Sequence, residues 1–249
     1  MADPLRLYGL KALVINAATG IGEAVSRTLI KHGATVLAVD TLNSGVEQHF
    51  KAVRGITGYV SSLSDPARMP ALIEDAVDKL GGIDILINDF PIPVDAPLSD
   101  GDSQLQKLLK TRADLIMSVC RSALPHLQKS PAGRIINIGF LRSVFAADGS
   151  GAFAQSEQDL AALARAIAAE TGEFGITANY VQPGAIMTPT SRDVFRKDKA
   201  LRDYCISGSA AQRLGEPVDV AKVILFLASD DAAFVSGTGV LVDGGRTGT

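Results

Sequence analysis

The chain has 249 residues, with 24 lysine and arginine residues against 27 aspartate and glutamate residues and a formal net charge of -3. It is 47% hydrophobic and 20% charged. This apolar fraction excludes a disordered chain, and the slight acidity offers no basic footprint for nucleic acid or an anionic membrane. No apolar run approaches the roughly 20 residues of a bilayer span, and the first residues contain no signal-peptide core. We therefore expect a cytoplasmic protein that binds neither nucleic acid nor membrane.

Short apolar runs alternate with helical patterns along the whole chain. The strand patterns cover Lys11–Ile15, Ala34–Val39, Ile83–Asn88, Arg134–Ile138, Thr177–Val181 and Gly239–Val242. The helical patterns cover Gly22–His32, Pro66–Leu80, Asp102–Gln128 (one helix or two), Phe153–Thr171 and Val218–Ser229. This alternation predicts an α/β fold in which parallel strands joined by right-handed crossovers form a doubly wound sheet flanked by helices. No linker or internal repeat divides the chain, so residues 1–249 are expected to form a single domain.

A glycine-containing loop follows the first strand and opens the first helix. It reads Asn16-Ala17-Ala18-Thr19-Gly20-Ile21-Gly22. Glycines at this place let the backbone approach a pyrophosphate at the helix N-terminus, where unpaired N–H groups favour anions. Asp40 closes the second strand, where a carboxylate can accept hydrogen bonds from an adenosine ribose and repel a 2′-phosphate. A tight turn that only packs the helix on the strand is the alternative interpretation of this loop.

Seven local patterns follow one another in a fixed order. They are Gly20–Gly22, Asp84–Asn88, Gly133–Ile138, Pro183–Gly184, Arg213–Pro217, Phe226–Asp230 and Val242–Gly245. Together they resemble the short-chain dehydrogenase/reductase family over nearly the whole chain. The resemblance implies a Rossmann fold, usually a tetramer, and usually NAD(P)-dependent carbonyl–alcohol chemistry.

The resemblance also indicates which positions would meet a dinucleotide. They are Asn16, Thr19, Gly20, Ile21, Gly22, Asp40, Leu63, Asn88, Pro183, Gly184 and Thr188. Asn16 replaces the usual first glycine of the loop, and the family's Asn-Asn-Ala-Gly segment reads Asn88-Asp89-Phe90-Pro91. The Phe90 ring is expected to crowd the cofactor pocket. NAD binding by this chain is therefore expected to be weak or absent, and no metal site is expected.

All four catalytic positions of the family are replaced. The family uses a tyrosine with a lysine four residues later, whose charge lets the phenol act as a base near neutral pH. Phe153 stands at the tyrosine position and Glu157 at the lysine position. Phe140 replaces the serine that binds the substrate carbonyl, and Arg112 replaces a helix asparagine. No catalytic residue of the family type is therefore expected.

A chain that keeps the core patterns of this family without its chemistry is expected to serve an assembly. In the family, Phe153–Thr171 and the preceding helix would form a four-helix dimer contact, although an alanine-rich helix also reflects plain helix propensity. We expect a non-catalytic subunit in a heterotetramer with an active paralogue, which would hold NAD and oxidise a hydroxyacyl-CoA. Two alternatives remain. One is an independent enzyme that uses Glu157 or Arg112 for non-redox acid–base chemistry, and the other is a protein that senses a dinucleotide or metabolite.

Overall fold

The central feature of the fold is a parallel sheet of seven strands. The computed structural model describes residues 6–90, 103–139 and 151–246. The strands are β1 (Lys11–Ile15), β2 (Thr35–Asp40), β3 (Ile56–Val60), β4 (Ile85–Asn88), β5 (Arg134–Ile138), β6 (Thr177–Pro183) and β7 (Gly239–Val242). Every pairing is parallel, in the spatial order β3-β2-β1-β4-β5-β6-β7. The predicted α/β fold class, with a doubly wound parallel sheet, is therefore confirmed.

Eight α-helices accompany the sheet in the described ranges. They are α1 (Gly20–Lys31), α2 (Val46–Phe50), α3 (Met69–Leu80), α4 (Ser103–Leu127), α5 (Gly151–Thr171), α6 (Pro189–Lys197), α7 (Lys199–Ser207) and α8 (Pro217–Ala228). The segment predicted as one helix or two is the single helix α4. Within the described part of the chain, no helix is long and apolar enough to cross a membrane.

Two hydrophobic clusters lie on opposite faces of the sheet. Ala12 and Val14 of β1 belong to a cluster that includes residues of α1 and α8. Leu13 and Ile15 of the same strand belong to a second cluster, which includes residues of α3, α4 and α5. Successive side chains of a strand point to opposite faces, so one buried strand supplies both clusters.

The sequence patterns did not reveal β3, α2, α6 or α7. In β3, Gly58 interrupts the apolar pattern because the chain of α2 passes close to it. A Cβ on Gly58 would lie 2.4 Å from the carbonyl oxygen of Val46. The helices α6 and α7 begin at polar caps, where Thr188 and Asp198 each accept a backbone N–H. The helix α6 has few apolar residues, and the two caps were the signal available in the sequence.

The strand order reverses between β1 and β4. From β1 the chain builds the sheet outward through β2 and β3, and from β4 it builds outward in the other direction. In open α/β sheets, ligands bind in the crevice outside the carboxyl ends of the strands at such a switch point. Asn16 follows β1 at this edge, and Asp89 follows β4.

Candidate functional site

The loop after β1 turns sharply before α1 begins. Asn16 has a φ of 60° and Gly20 a φ of 61°, both in the left-handed region. Asparagine adopts this conformation at a higher energy than glycine. A Cβ on Gly22 would lie 2.1 Å from the carbonyl oxygen of Asn16, so the loop packs directly on the backbone of the helix. The left-handed residues and the absence of a side chain at Gly22 together allow the loop to pack tightly against the first turn of α1.

The helix α1 begins at the carboxyl edge of the sheet, because the loop after β1 leads directly into it. Thr19 precedes the helix in an extended conformation and makes no capping hydrogen bond from its side chain. Thr188, beyond β6, lies against this turn, since a Cβ on Gly20 would be 3.3 Å from Thr188 Cγ2. The structure therefore brings the predicted cofactor residue Thr188 against the glycine-containing loop. A helix N-terminus of this kind suits an anion.

The carboxylate of Asp40 is already engaged by the protein backbone. One oxygen accepts the N–H of Ala18 at 2.8 Å, and the other accepts the N–H of Thr41 at 2.7 Å. The residue is only 6% exposed. Asp40 therefore ties the loop after β1 to the end of β2. That structural role stands beside its predicted role as the ribose acceptor.

The loop after β6 is fixed from two sides. Ile186 pairs with Gly215, and the N–H of Met187 donates to the Gly215 carbonyl at 2.7 Å. A Cβ on Gly184 would lie 2.6 Å from Asp243 Cα, so the turn after β7 packs closely on this loop. Pro183, predicted to face the cofactor, is the last residue of β6 and is buried.

Two further predicted cofactor residues lie within the core. Leu63 is 5% exposed and belongs to the same cluster as Phe90, which is 1% exposed. Asn88 is fully buried, and its Nδ2 donates to Asn137 Oδ1 at 2.8 Å and to the Cys120 sulfur at 3.4 Å. Burial raises the pKa of the Cys120 thiol to about 12, so this thiol stays protonated and unreactive near neutral pH. The prediction that Phe90 narrows the cofactor pocket stays a prediction.

The sequence did not reveal a polar network at the switch point. Asn16 Nδ2 donates to Asp89 Oδ2 at 3.3 Å. Burial raises the pKa of the Asp89 carboxyl to about 6, and the charge of Arg112 and the bond from Asn16 oppose this rise only in part. The carboxylate of Asp40 lies near enough to contribute to it. The sequence offered one signal for this network, namely the charged residues Asp89 and Arg112 at positions where the family has uncharged residues.

Arg112 extends from α4 to the carboxyl ends of two central strands. It is 4% exposed. Its Nε donates to the carbonyl oxygen of Phe90 at 3.0 Å, and its Nη2 donates to the carbonyl of Ile138. A buried guanidinium that donates to carbonyl oxygens stays charged and cannot act as a base near neutral pH.

The other three positions that were predicted to be degenerate are located only in part. Phe153 and Glu157 lie on the first turns of α5, and their side chains lie outside what the structure describes. Phe140 lies outside the described residues. Among the residues that are described, no group of three histidine, cysteine, aspartate or glutamate side chains is placed to hold a metal ion.

The parallel sheet, its switch point and the glycine-containing loop define a Rossmann-type α/β protein. The family model described as enoyl-(acyl carrier protein) reductase matches residues 16–247. The chain is 31% identical to the 3-oxoacyl-[acyl-carrier-protein] reductase FabG of Thermotoga maritima over 250 residues, covering 97% of this chain and 99% of the relative. The FabG of Vibrio cholerae is 30% identical, covering 97% and 98%. The oxidoreductase UcpA of Escherichia coli is 29% identical, covering 97% and 96%.

The chain belongs to the short-chain dehydrogenase/reductase family. These three relatives are two reductases and an oxidoreductase, so they share oxidoreductase chemistry. One feature of the site opposes an anionic ligand in this place. Asp89 adds a second carboxyl group beside the loop that would hold the pyrophosphate.

Proposed function

We propose that this chain is the non-catalytic subunit of a heteromeric, NAD-dependent short-chain dehydrogenase. The observation that carries the proposal is the buried guanidinium of Arg112, which takes the position of a family catalytic residue and is bound to two main-chain carbonyls. A group bound in this way stabilises the fold and takes no part in proton transfer. The replacements at Phe153 and Glu157 support the same conclusion, since phenylalanine has no proton to exchange.

The active paralogue holds the NAD in this proposal. The position of Asp89 supports this assignment. Its carboxyl group accepts a hydrogen bond from Asn16, in the loop that would hold the pyrophosphate in other members of the family. A carboxylate there opposes an anionic ligand. The N-terminus of α1 still suits an anion. The proposed weakening of NAD binding therefore comes from the negative charge of Asp89 and not from the backbone of the loop.

The proposed reaction of the complex is the oxidation of a hydroxyacyl thioester. Two of the relatives are named as reductases of 3-oxoacyl thioesters on acyl carrier protein, and oxidation of a hydroxyacyl thioester is that reaction in reverse. In the complex a hydride passes to NAD and a proton is released. The specific substrate proposed is 2-(hydroxybenzyl)succinyl-CoA, which yields benzoylsuccinyl-CoA in anaerobic toluene degradation. The proposed assembly is a cytoplasmic heterotetramer with the active paralogue.

Co-expression of the chain with its paralogous dehydrogenase tests the proposal. We expect a mixed oligomer by mass measurement and NADH formation from the hydroxyacyl-CoA by the complex. Replacing the active-site tyrosine of the paralogue with phenylalanine is expected to abolish turnover. Phe153→Leu in the present chain is expected to leave kcat unchanged, because Phe153 makes no proton transfer.

The purified chain without the paralogue is measured as well. We expect no turnover and no micromolar NAD binding by calorimetry. Turnover by the purified chain would overturn the proposal in favour of an independent enzyme. A paralogue that is stable and fully active alone, and that never co-purifies with this chain, would overturn it as well.

A further inference from the structure

A small cavity lies between the loop after β6, the end of α7 and the turn after β7. It measures about 170 Å³. Residues 184–186 of the loop line one side, and Gly208 and Gly244 line others. None of residues 16–22 lines it, so the cavity is separate from the glycine-containing loop at the switch point. A cavity of about 150 Å³ accepts a benzene-sized ligand, so this one has room for about six non-hydrogen atoms.

Close contacts at glycines fix the walls of the cavity. A Cβ on Gly215 would lie 2.5 Å from Ile186 Cδ1, and a Cβ on Gly244 would lie 2.5 Å from Ser209 Oγ. Ser209 Oγ also donates to the carbonyl oxygen of Gly244 at 3.1 Å. The walls therefore hold one another in place, and a ligand binds without the cost of ordering them.

Four charged residues line the cavity, and three of them have partners within the protein. Arg213 Nη1 lies 2.8 Å from Asp219 Oδ2, which also accepts the N–H of Glu216 at 3.0 Å. The hydrogen bond from Arg213 lowers the pKa of the Asp219 carboxyl. An oxygen of the third residue, Asp243, accepts the N–H of Gly245 at 3.0 Å.

The fourth charged residue, Arg246, has a nitrogen that lacks an acceptor. Its Nε is buried, and no described residue accepts a hydrogen bond from it. Its Nη2 donates to the hydroxyl of Tyr204 at 3.3 Å, and the guanidinium carbon lies 5.6 Å from the centre of that ring. None of the ion pairs among the described residues includes Arg246. A buried N–H of a cation without an acceptor is unfavourable, and an anionic oxygen would supply the acceptor.

The cavity also has an apolar part. Ile186 and Cys205 line it and are buried, and Val242 lines it and is half-buried. A hydrocarbon chain gains free energy by leaving water for such a surface, whereas inorganic phosphate has no apolar part to place there. The cavity therefore suits a ligand with an anionic end and a short hydrocarbon chain.

We infer that this cavity binds a short-chain carboxylate of about six non-hydrogen atoms, whose oxygen accepts a hydrogen bond from Arg246. The hydrocarbon chain lies against Ile186, Cys205 and Val242. The bound carboxylate joins the turn after β7 and the end of α7 to the loop after β6. The inference does not depend on the proposed function, because the cavity shares no residue with the replaced catalytic positions.

Thermal unfolding of the full chain tests the inference, with butyrate as the probe. Butyramide has the same shape without the charge, inorganic phosphate has the charge without the chain, and sodium chloride keeps the ionic strength constant. We expect butyrate to raise Tm in a saturable way, by at least about 3 °C at about 50 mM, with a Kd of about 1 mM or tighter. Butyramide and phosphate are expected to leave Tm unchanged.

Two pairs of variants locate the bound butyrate. Arg246→Met removes the guanidinium and is expected to abolish the rise in Tm, whereas Arg202→Met, outside the lining, is expected to preserve it. Ala211→Leu places a larger side chain in the lining and keeps Arg246, and it is also expected to abolish the rise. Its control is Ala210→Leu, at an exposed position outside the lining. Circular dichroism verifies that each variant is folded, and either pair is sufficient if one variant fails to fold.

Four results would overturn the inference. They are a wild-type Tm that butyrate does not change, a rise with butyramide equal to that with butyrate, a rise with phosphate but not with butyrate, and a butyrate effect that persists in Arg246→Met or Ala211→Leu. Turnover by the chain alone contradicts the proposed function and leaves this result unchanged. The two proposals therefore fail independently of each other.

Discussion

Arg112 and Phe90 are joined by a hydrogen bond of 3.0 Å from the guanidinium Nε to the main-chain carbonyl oxygen. The same side chain also donates to the carbonyl of Ile138. One residue of α4 therefore binds the chain beyond β4 and the last residue of β5. The position that would support proton relay in the family instead joins three elements of the fold.

Replacing Arg112 with methionine is expected to destabilise the protein. The carbonyls of Phe90 and Ile138 lose their donor, and Asp89 loses a nearby positive charge. We expect the free energy of unfolding in urea to fall by about 2–4 kcal/mol. The matched control is Arg121→Met on the exposed face of the same helix, with a change within about 0.5 kcal/mol. Equal losses in the two variants would contradict a structural role for Arg112.

Asp89→Asn is expected to make stability less dependent on pH. The pKa of Asp89 is raised from 3.8 to about 6 in the folded protein, chiefly by burial. The folded state therefore binds more protons than the unfolded state between these values, and wild-type stability falls as pH rises through this window. Relative to wild type, the variant gains stability on the order of 1–3 kcal/mol between pH 4 and pH 7.5. Urea unfolding at both pH values measures the gain.

The control for this pH effect is Asp78→Asn, at an exposed position of α3. We expect the difference between this variant and wild type to be the same at both pH values. A pH-independent difference for Asp89→Asn would show that the carboxyl does not carry the raised pKa.

Gly22→Ala is expected to disrupt the loop after β1. The added Cβ would lie 2.1 Å from the Asn16 carbonyl oxygen and 2.9 Å from Ala17 Cα, and neither backbone atom can rotate away. We expect a loss of about 2–4 kcal/mol in the free energy of unfolding, or a fall in soluble yield. The control is Gly172→Ala, where no atom lies within 4 Å of the new Cβ. That variant is expected to match wild type or gain up to about 1 kcal/mol.

Asp40→Ala tests whether this carboxylate holds the loop in place. The variant leaves the N–H groups of Ala18 and Thr41 without their acceptor. We expect the free energy of unfolding to fall by about 2–3 kcal/mol, and Asp40→Asn, which keeps one side-chain oxygen, to lose less. Thermal unfolding of the two variants beside wild type measures the order. Wild-type stability in Asp40→Ala would mean that these bonds contribute nothing to the fold.

The alternation of apolar strands and helical patterns predicted six of the seven strands, because each of those six carries its own local signal. β1, β5 and β7 begin and end at the predicted residues, and α1 begins two residues before its predicted start. The helix includes Gly20 because the N–H of Glu23 already donates to the carbonyl oxygen of Thr19. The strand β3 was not predicted because Gly58 interrupts its apolar pattern. The glycine is needed there because α2 packs directly on β3, which is a tertiary contact.

The sequence by itself indicated the family and the strand–loop–helix at the switch point, and it predicted the replacement of the tyrosine and lysine, because these depend on residue type and on spacing along the chain. Only the tertiary structure decided what the replacements do. Arg112 meets carbonyls 22 and 26 residues away, and Asp89 meets Asn16 across 73 residues. Contacts at such separations depend on how β1, β4, β5 and α4 pack, and no local pattern encodes that packing.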